Sequence, residues 1–447
     1  MVVVLLLALA GCASVDVQKP AATATHNEAM QQARALAQEH ATLPGAARNA
    51  NAARIDALLA QLDDATLARE AARLPVGDPL YNFAGRALVA RGLPLPRPFD
   101  RGDATFGAAD RPAADRDGYR PPLKIGVLLP LSGSQAAAAT AVRDGLLAGY
   151  YGERRRRPEL RFHDTATLGT RAAYARAVSE GSDFVIGPLG REEVDALFAG
   201  DALPVPLLAL NRGGNAPQSG SAGFSLSPED EGISLAGYLA QRGSKRVLLV
   251  AGNEDAQRRA IAAARTQLER RGIQVVASLY YRDDLTEALR QAVLAEGGVD
   301  AVLLALKTTQ ARTLAPQLAA AGLTSTLRVA TSQIAAGTGK PADDMVLDGI
   351  VHPIDTWSVR GVAGLPQRAS AAALVDSAKG PAARLFAFGF DAWLLAGYLQ
   401  HLATAPNASI TGATGRLSLD GFGNVLRQPS WSRFSGGVPV PLGDDGR

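Results

Sequence analysis

From Leu123 onward the chain repeats one pattern: a short, almost wholly apolar run, a turn, then a stretch with helical periodicity. Lys124-Ile-Gly-Val-Leu-Leu-Pro130 is the first such run, and so continuous an apolar stretch fits a parallel strand buried on both faces. The tight loop Leu131-Ser132-Gly133-Ser134 follows, after which Ala139, Val142, Leu146 and Tyr150 fall on one helix face. Further strand candidates are Phe184–Ile186, Leu207–Leu210, Arg246–Val250, Val275–Leu279, Ala301–Leu304 and Leu327–Ala330. Helical stretches at Asp255–Arg271, Leu285–Ala295 and Thr309–Ala321 lie between them. Parallel strands need long crossovers, so the alternation restricts residues 122–436 to an α/β fold with parallel sheets. Two lobes accommodate this many strands better than a single sheet. Ser227-Pro228-Glu229-Asp230 combines a capping residue, a proline at the first helical position and acids in the first turn. It starts a helix, and the first lobe crossing is placed there, near 228; the second is placed near 350. Residues 437–447 read as a tail.

The chain before this domain changes character twice. Ile55, Leu58, Leu59 and Leu62 have the spacing of one helix face, and Leu80, Phe83, Ala84 and Ala87 repeat it. With Glu28–Gln38 and Ala65–Leu74 they give about four short helices over 26–92, an all-helical segment similar to tetratricopeptide-like helix–turn–helix units. Such units bury little alone and need neighbours. Residues 93–121 carry Pro94, Pro96, Pro98, Pro112 and Pro121 among scattered Gly, Arg and Asp. They read as an extended linker, able to reach on the order of 100 Å if fully stretched. Residues 13–25, rich in Ala and Thr, read as a tether.

Cys12 is the only cysteine, and it closes the apolar run Met1–Gly11. Leu9-Ala10-Gly11-Cys12 resembles a lipoprotein lipobox, in which small residues fit a narrow protease subsite and the thiol takes a diacylglycerol. Val2–Ala10 is too short to span a bilayer, which takes ~20 apolar residues, so residues 1–12 read as a signal peptide. Cys12 would then be the first residue of the mature chain, and Ala13 beside it favours sorting to the outer membrane.

Composition argues against several functions. The net charge is +3, and only six of the 46 basic residues are Lys, so no basic field suited to nucleic acid exists. The run Arg154–Arg157 falls where a helix should end and reads as a solvated terminus complementing the helix dipole. The five histidines are dispersed, so no metal site is expected. Gly337-Thr-Gly-Lys340 lacks the first glycine and the Ser/Thr of a phosphate-binding loop, and no G-x-S-x-G elbow exists. Neither a cofactor nor an enzyme activity is expected. Asp183, Asp391 and Glu229-Asp230 read as capping or surface carboxylates. In open α/β sheets ligands sit beyond the carboxyl ends of strands, which makes Ser132, Gly133, Gly187, Pro188, Asn211 and Ser332 the candidate cleft. A small-molecule ligand there stays open, because the same glycines and serine suit tight turns and a cap.

Several segments in order resemble one family. They include Ile125-Gly-Val-Leu-Leu-Pro-Leu-Ser-Gly133, Val185-Ile-Gly-Pro-Leu189, Pro206-Leu-Leu-Ala-Leu-Asn211, Leu226-Ser-Pro-Glu-Asp230, Phe390-Asp-Ala392 and Gly412-Ala-Thr-Gly-Arg-Leu417. Together they resemble the LpoA-type lipoprotein activators of penicillin-binding proteins, over nearly all of 122–436. The resemblance implies a two-lobed domain of the type I periplasmic-binding-protein fold. It also implies an outer-membrane regulator, not an enzyme, that contacts a class A penicillin-binding protein, a peptidoglycan synthase of the inner membrane. Peptidoglycan is a further candidate partner. The family's helical array is longer than the segment here. The competing expectation is a lipid-anchored amino-acid receptor serving an ABC transporter.

Overall fold

The structure is a computed structural model that describes residues 22–43, 45–100, 106, 111–200, 202–218, 220–336, 340–405 and 408–443. The expected signal peptide with Cys12, and the tether as far as residue 21, lie outside the described residues.

Four helices come first: α1 Ala22–His40, α2 Gly45–Ala60, α3 Asp64–Arg73 and α4 Tyr81–Ala90. Ala29, Ala33 and Ala37 repeat every four residues and present a narrow stripe to Ile55, Leu59, Leu67 and Leu88. Asp63 caps α3 by accepting from Thr66 N at 2.8 Å. Arg91 is buried, and its guanidinium donates to Leu59 O and Leu62 O at 2.8 and 2.7 Å. It thereby ties carbonyls at and just beyond the end of α2, where Leu59 O also accepts from Leu62 N at 3.2 Å. The neighbour that such a segment needs is the α/β domain. Phe83 packs edge-on against Phe422 at 4.6 Å, Arg86 lies 4.0 Å over the Phe422 ring, and Asn49 donates to Asn215 at 2.7 Å.

The stretch expected to be an extended linker is packed where it is described. Phe99 and Leu95 lie over Gly85, and Arg97 stacks on Tyr81 at 3.3 Å. Phe106 enters the core of the first lobe. Arg111 is buried and pairs with Asp183 at 2.6 Å. Tyr119 covers Gly397 and donates to Arg156 O at 3.0 Å. Prolines dominate the composition of this stretch, but three aromatic side chains decide where it lies, because their burial outweighs the entropy of ordering it. The basic run is also not simply solvated. Arg155 pairs with Glu153 and Asp117 at 2.9 Å each and stacks on Tyr119 at 3.8 Å.

The first lobe is a parallel sheet in the order β2-β1-β3-β4-β5. Its strands are β1 Lys124–Leu129, β2 Glu159–Asp164, β3 Phe184–Ile186, β4 Leu207–Ala209 and β5 Ala222–Gly223. Helix α5, Ala136–Gly152, crosses from β1 to β2. The second lobe begins with the helix Pro228–Gln241 and the parallel strands β6 Arg246–Ala251, β7 Gln274–Tyr280, β8 Ala301–Ala305, β9 Leu327–Ala330 and β10 Val351–Ile354. The chain then returns to the first lobe through the helix Ala382–Thr404, which packs on α5. An antiparallel sheet follows, of β11 Ile410–Thr411, β12 Arg416–Leu419 and β13 Val425–Gln428. Strands β14 Ser430–Ser435 and β15 Val438–Pro441 finally complete the second sheet, in the order β15-β14-β10-β9-β8-β6-β7.

The architecture is the expected two-lobed α/β one behind a helical segment. The chain passes between lobes three times. The second passage follows β10, so the strand at 351 still belongs to the second sheet, and the third lies between β13 and β14. Part of the expected tail is strand β15. Ala382–Thr404 is long and apolar enough to cross a membrane, yet its apolar length is mostly buried as a core helix.

Candidate functional site

Five of the six candidate cleft residues follow β1, β3 and β4, which are neighbours, so they share one carboxyl edge. Ser132 does not cap the following helical turn. Its hydroxyl donates to Asp164 at 2.7 Å, and Leu131 N donates to the same carboxylate at 2.9 Å. The Ser132 hydrogen bond, helped by backbone donors, holds the Asp164 pKa below the ordinary carboxylate value. Gly133 has φ +76° with open space where a Cβ would stand. The backbone therefore demands glycine there, not the packing. Gly187, at φ +102°, is held by both: a Cβ would meet Leu128 O at 2.1 Å. The bond from Gly187 to Pro188 is cis, and Pro188 O accepts from Leu210 N at 2.9 Å. Asn211 ties the edge together, donating to Leu189 O and accepting from Arg212 N, both at 2.9 Å. The hollow between Asn211, Phe198, Asn215 and Asn424 has room for about one water.

Ser332 is apart from the other five. It follows β9 in the second lobe, donates from its backbone N to Glu231 at 2.8 Å, and its hydroxyl meets the guanidinium of Arg384. That contact leads to a group which the sequence pattern did not reveal. The helix Pro228–Gln241 opens, as expected, with Ser227 accepting from Asp230 N at 3.2 Å. Its first turn carries Glu229, Asp230 and Glu231, and each meets an arginine from a different element. Arg259 lies 3.4 Å from Glu229, Arg212 lies 3.0 Å from Asp230, and Arg384 lies 3.7 Å from Glu231. Arg212 and Arg384 belong to the first lobe, so two of these pairs join the lobes.

Asp355, at the second passage, and Arg427, just before the third, add a second layer. Burial raises the Asp355 pKa against the pull of Arg384 and Arg427, and burial followed by the nearby Arg384 lowers that of Arg427. Glu231 is only 6% exposed and has Arg384 and Ser332 N as its partners. His352, fully buried in β10, is pushed down to about 4 by the same cause and is neutral at pH 7. The arrangement fixes one lobe against the other, and nothing in it is set up as a nucleophile beside a base. Glu231, Asp355, Arg384 and Arg427 are nearly 200 residues apart at the extremes. The sequence flagged only their neighbours Glu229 and Asp230.

The other flagged carboxylates divide. Asp183 holds Arg111 and accepts from Lys124 N at 2.7 Å. Asp391 is neither a cap nor a surface group. It is fully buried and accepts from Ala413 N and from Thr414 N and Oγ1, the last at 2.6 Å, locking the Gly412–Gly415 turn to the helix Ala382–Thr404. Burial pushes its pKa up to about 7 against those three donors. Among the described residues no group of three or more His, Cys, Asp or Glu could hold a metal.

The family model described as "LppC putative lipoprotein" matches residues 119–437, from the end of the packed linker to just before β15. The chain belongs to the LppC family. The penicillin-binding protein activator LpoA of Klebsiella pneumoniae is 26% identical over 318 residues, covering 63% of this chain and 44% of that protein. The chain thus spans about half the length of the curated relatives it matches. Full-length LpoA from Haemophilus influenzae shares the fold at a TM-score of 0.63 and 19% identity, covering 96% of this chain and 84% of that one. Its C-domain, described as a regulator of PBP1A, aligns at a TM-score of 0.62 and 23% identity over 71% of this chain. A "putative branched-chain amino acid ABC transporter" structure from Chromobacterium violaceum aligns at 0.57 and 27% identity, over 70% of this chain and all of that one. All six candidate cleft residues and the acid–arginine junction lie inside the LppC match; the four helices lie outside it.

Proposed function

We propose that this LppC-family chain is a lipid-anchored regulator at the periplasmic face of the outer membrane that binds and activates a class A penicillin-binding protein. One observation carries the choice. The likeness to full-length LpoA extends over 96% of the chain, helical segment included, whereas the likeness to the transporter protein stops at 70%. A tethered helical module docked on a two-lobed body suits a protein that presents surfaces, and the ion-paired junction supports a body of defined shape. Its action is stimulation of the synthase, without chemistry of its own. Peptidoglycan is a further contact on the way to that partner. Because the described residues of 93–121 are packed on the folded body, the reach is not assigned to that stretch. Residues 13–21 add at most about 30 Å, and the length of the folded body supplies the rest. The test is binding of the acylated full-length protein to the cognate synthase, together with the rate of glycan polymerisation. Binding with a raised rate is expected; no binding ends the proposal. Anchoring is tested separately, since Cys12→Ser should move the protein from the membrane pellet to the supernatant.

The receptor alternative is favoured by the 27% identity to the transporter protein over that chain's whole length. It predicts heat on titration with branched-chain amino acids. Uniformly silent titrations would remove it and leave the Ser132–Asn211 edge as a structural relic.

A further inference from the structure

The run Arg154–Arg157, which the proposed function does not use, divides its contacts unevenly. Arg155 takes three carboxylates: Asp117 and Glu153 at 2.9 Å each and Asp115 at 3.5 Å, with its guanidinium 3.8 Å over the Tyr119 ring. Beyond the run, Glu159 is taken by Arg161 at 2.8 Å and by Lys124 at 3.6 Å. Arg154 and Arg156 are exposed, and their side chains have no ion pair or hydrogen bond among the described residues. The same holds for Arg116 on the turn Asp115–Gly118, which lies beside the run because both acids flanking Arg116 bond Arg155. Arg157 finds only a carbonyl, Tyr150 O at 3.3 Å, and stacks 4.8 Å from the centre of the Tyr150 ring. Tyr150 rests on Trp393 at 5.5 Å, whereas Tyr151, edge-on to Tyr150 at 5.2 Å, is 73% exposed. The surface thus presents four guanidinia without a carboxylate, next to a free aromatic ring.

We propose that this surface, Arg116, Arg154, Arg156 and Arg157 with Tyr151, holds peptidoglycan by the carboxylates of its stem peptides. A guanidinium is a planar fork matched to a carboxylate and is weakly hydrated, so an exposed one that lacks an acid is ready to take one. The tyrosine ring offers an apolar face on which the C–H face of a sugar can pack while the phenol hydroxyl stays in water. Carboxylates spaced along a glycan strand meet both features at once. A bilayer of anionic lipid meets them less well. It is a continuous sheet of negative charge, and Asp115 and Asp117 stand half exposed between the arginines and oppose it. Each contact is weak, and a repeating polymer compensates by number. The site gives the proposed peptidoglycan contact its surface and its chemical group, and it rests on that reading.

The test is co-sedimentation of the full-length chain carrying Cys12→Ser with purified peptidoglycan sacculi, at low and at high salt. Binding that salt weakens is expected. Arg116→Glu, Arg154→Glu and Arg156→Glu together should lower it about tenfold, because three exposed attractions turn repulsive. Circular dichroism checks the fold, to which none of these three side chains contributes a bond. Tyr151→Ala should lower binding roughly threefold. Sacculi whose carboxylates have been converted to amides should not retain the protein. Absence of sedimentation, undiminished binding to amidated sacculi, or a triple variant that binds like wild type overturns the proposal. Tighter binding to phosphatidylglycerol vesicles, lost in the triple variant, would assign the surface to lipid and overturn it too. Stimulation of the synthase, assayed in detergent without sacculi, should survive the triple reversal, which separates failure of this site from failure of the regulatory reading. Loss of that stimulation would assign the arginines to the synthase instead.

Discussion

Asp391 and His352 are both buried, and they respond to pH in opposite directions. The Asp391 pKa is raised to about 7 in the folded chain, against an ordinary value near 4. As pH climbs between those values the unfolded chain ionises and the folded one does not, so stability from this group is full below pH 4 and lost toward pH 7. The loss amounts to up to about 4 kcal/mol. Asp391→Asn should therefore abolish one pH slope: in urea unfolding, the margin of wild type over variant should shrink between pH 4 and pH 7. A margin that does not change would show that the three donors keep Asp391 ionised. His352 is depressed to about 4, so its contribution is present above pH 6.5 and falls away as pH drops toward 4, by up to about 3 kcal/mol. His352→Gln should flatten acid destabilisation in that window. Neither role was visible in the sequence, where a buried and an exposed histidine or aspartate look alike.

At the scale of elements, α5 and the helix Ala382–Thr404 touch backbone to backbone. A Cβ on Gly145 would stand 1.8 Å from Phe386 O, and one on Gly389 would stand 1.9 Å from Val142 O. These glycines let two backbones touch, and Gly389→Ala must push the helices apart. A cost of about 3 kcal/mol and a clearly lower Tm are expected; an unchanged Tm would mean that the contact yields freely. The periodicity of both helices could be read along the chain, but their partnership could not, since some 240 residues separate them. Strands divide the same way. β1, β3, β6 and β8 are continuous apolar runs and stand out at once. β2, with Glu159, Arg161 and Asp164, is an edge strand whose polar residues hide it.

For the whole molecule, the acid–arginine junction sets how the lobes meet. Arg384→Ala would strand Glu231, which is 6% exposed, without its cation, and a loss of about 3 kcal/mol is expected. Arg212→Ala removes a pair with solvent access and should cost less than about 1 kcal/mol. Denaturant unfolding should rank the two in that order, and small-angle scattering should report a wider molecule only for Arg384→Ala. Equal costs for both would show that the buried pair holds nothing that the exposed one does not.

The α/β class, the helical segment, the helix start at Ser227–Asp230 and the run of candidate turns at the first sheet's edge follow from the sequence alone. Each depends on residues within a few positions of one another, and local periodicity records local geometry. The packing of the described residues within 93–121, the third passage between lobes, the burial of Asp391 and the meeting of Glu231 with Arg384 were decided only by tertiary structure. All of these join residues far apart in the chain, and a polar side chain shows in its own sequence neighbourhood neither whether it is buried nor which distant charge will answer it.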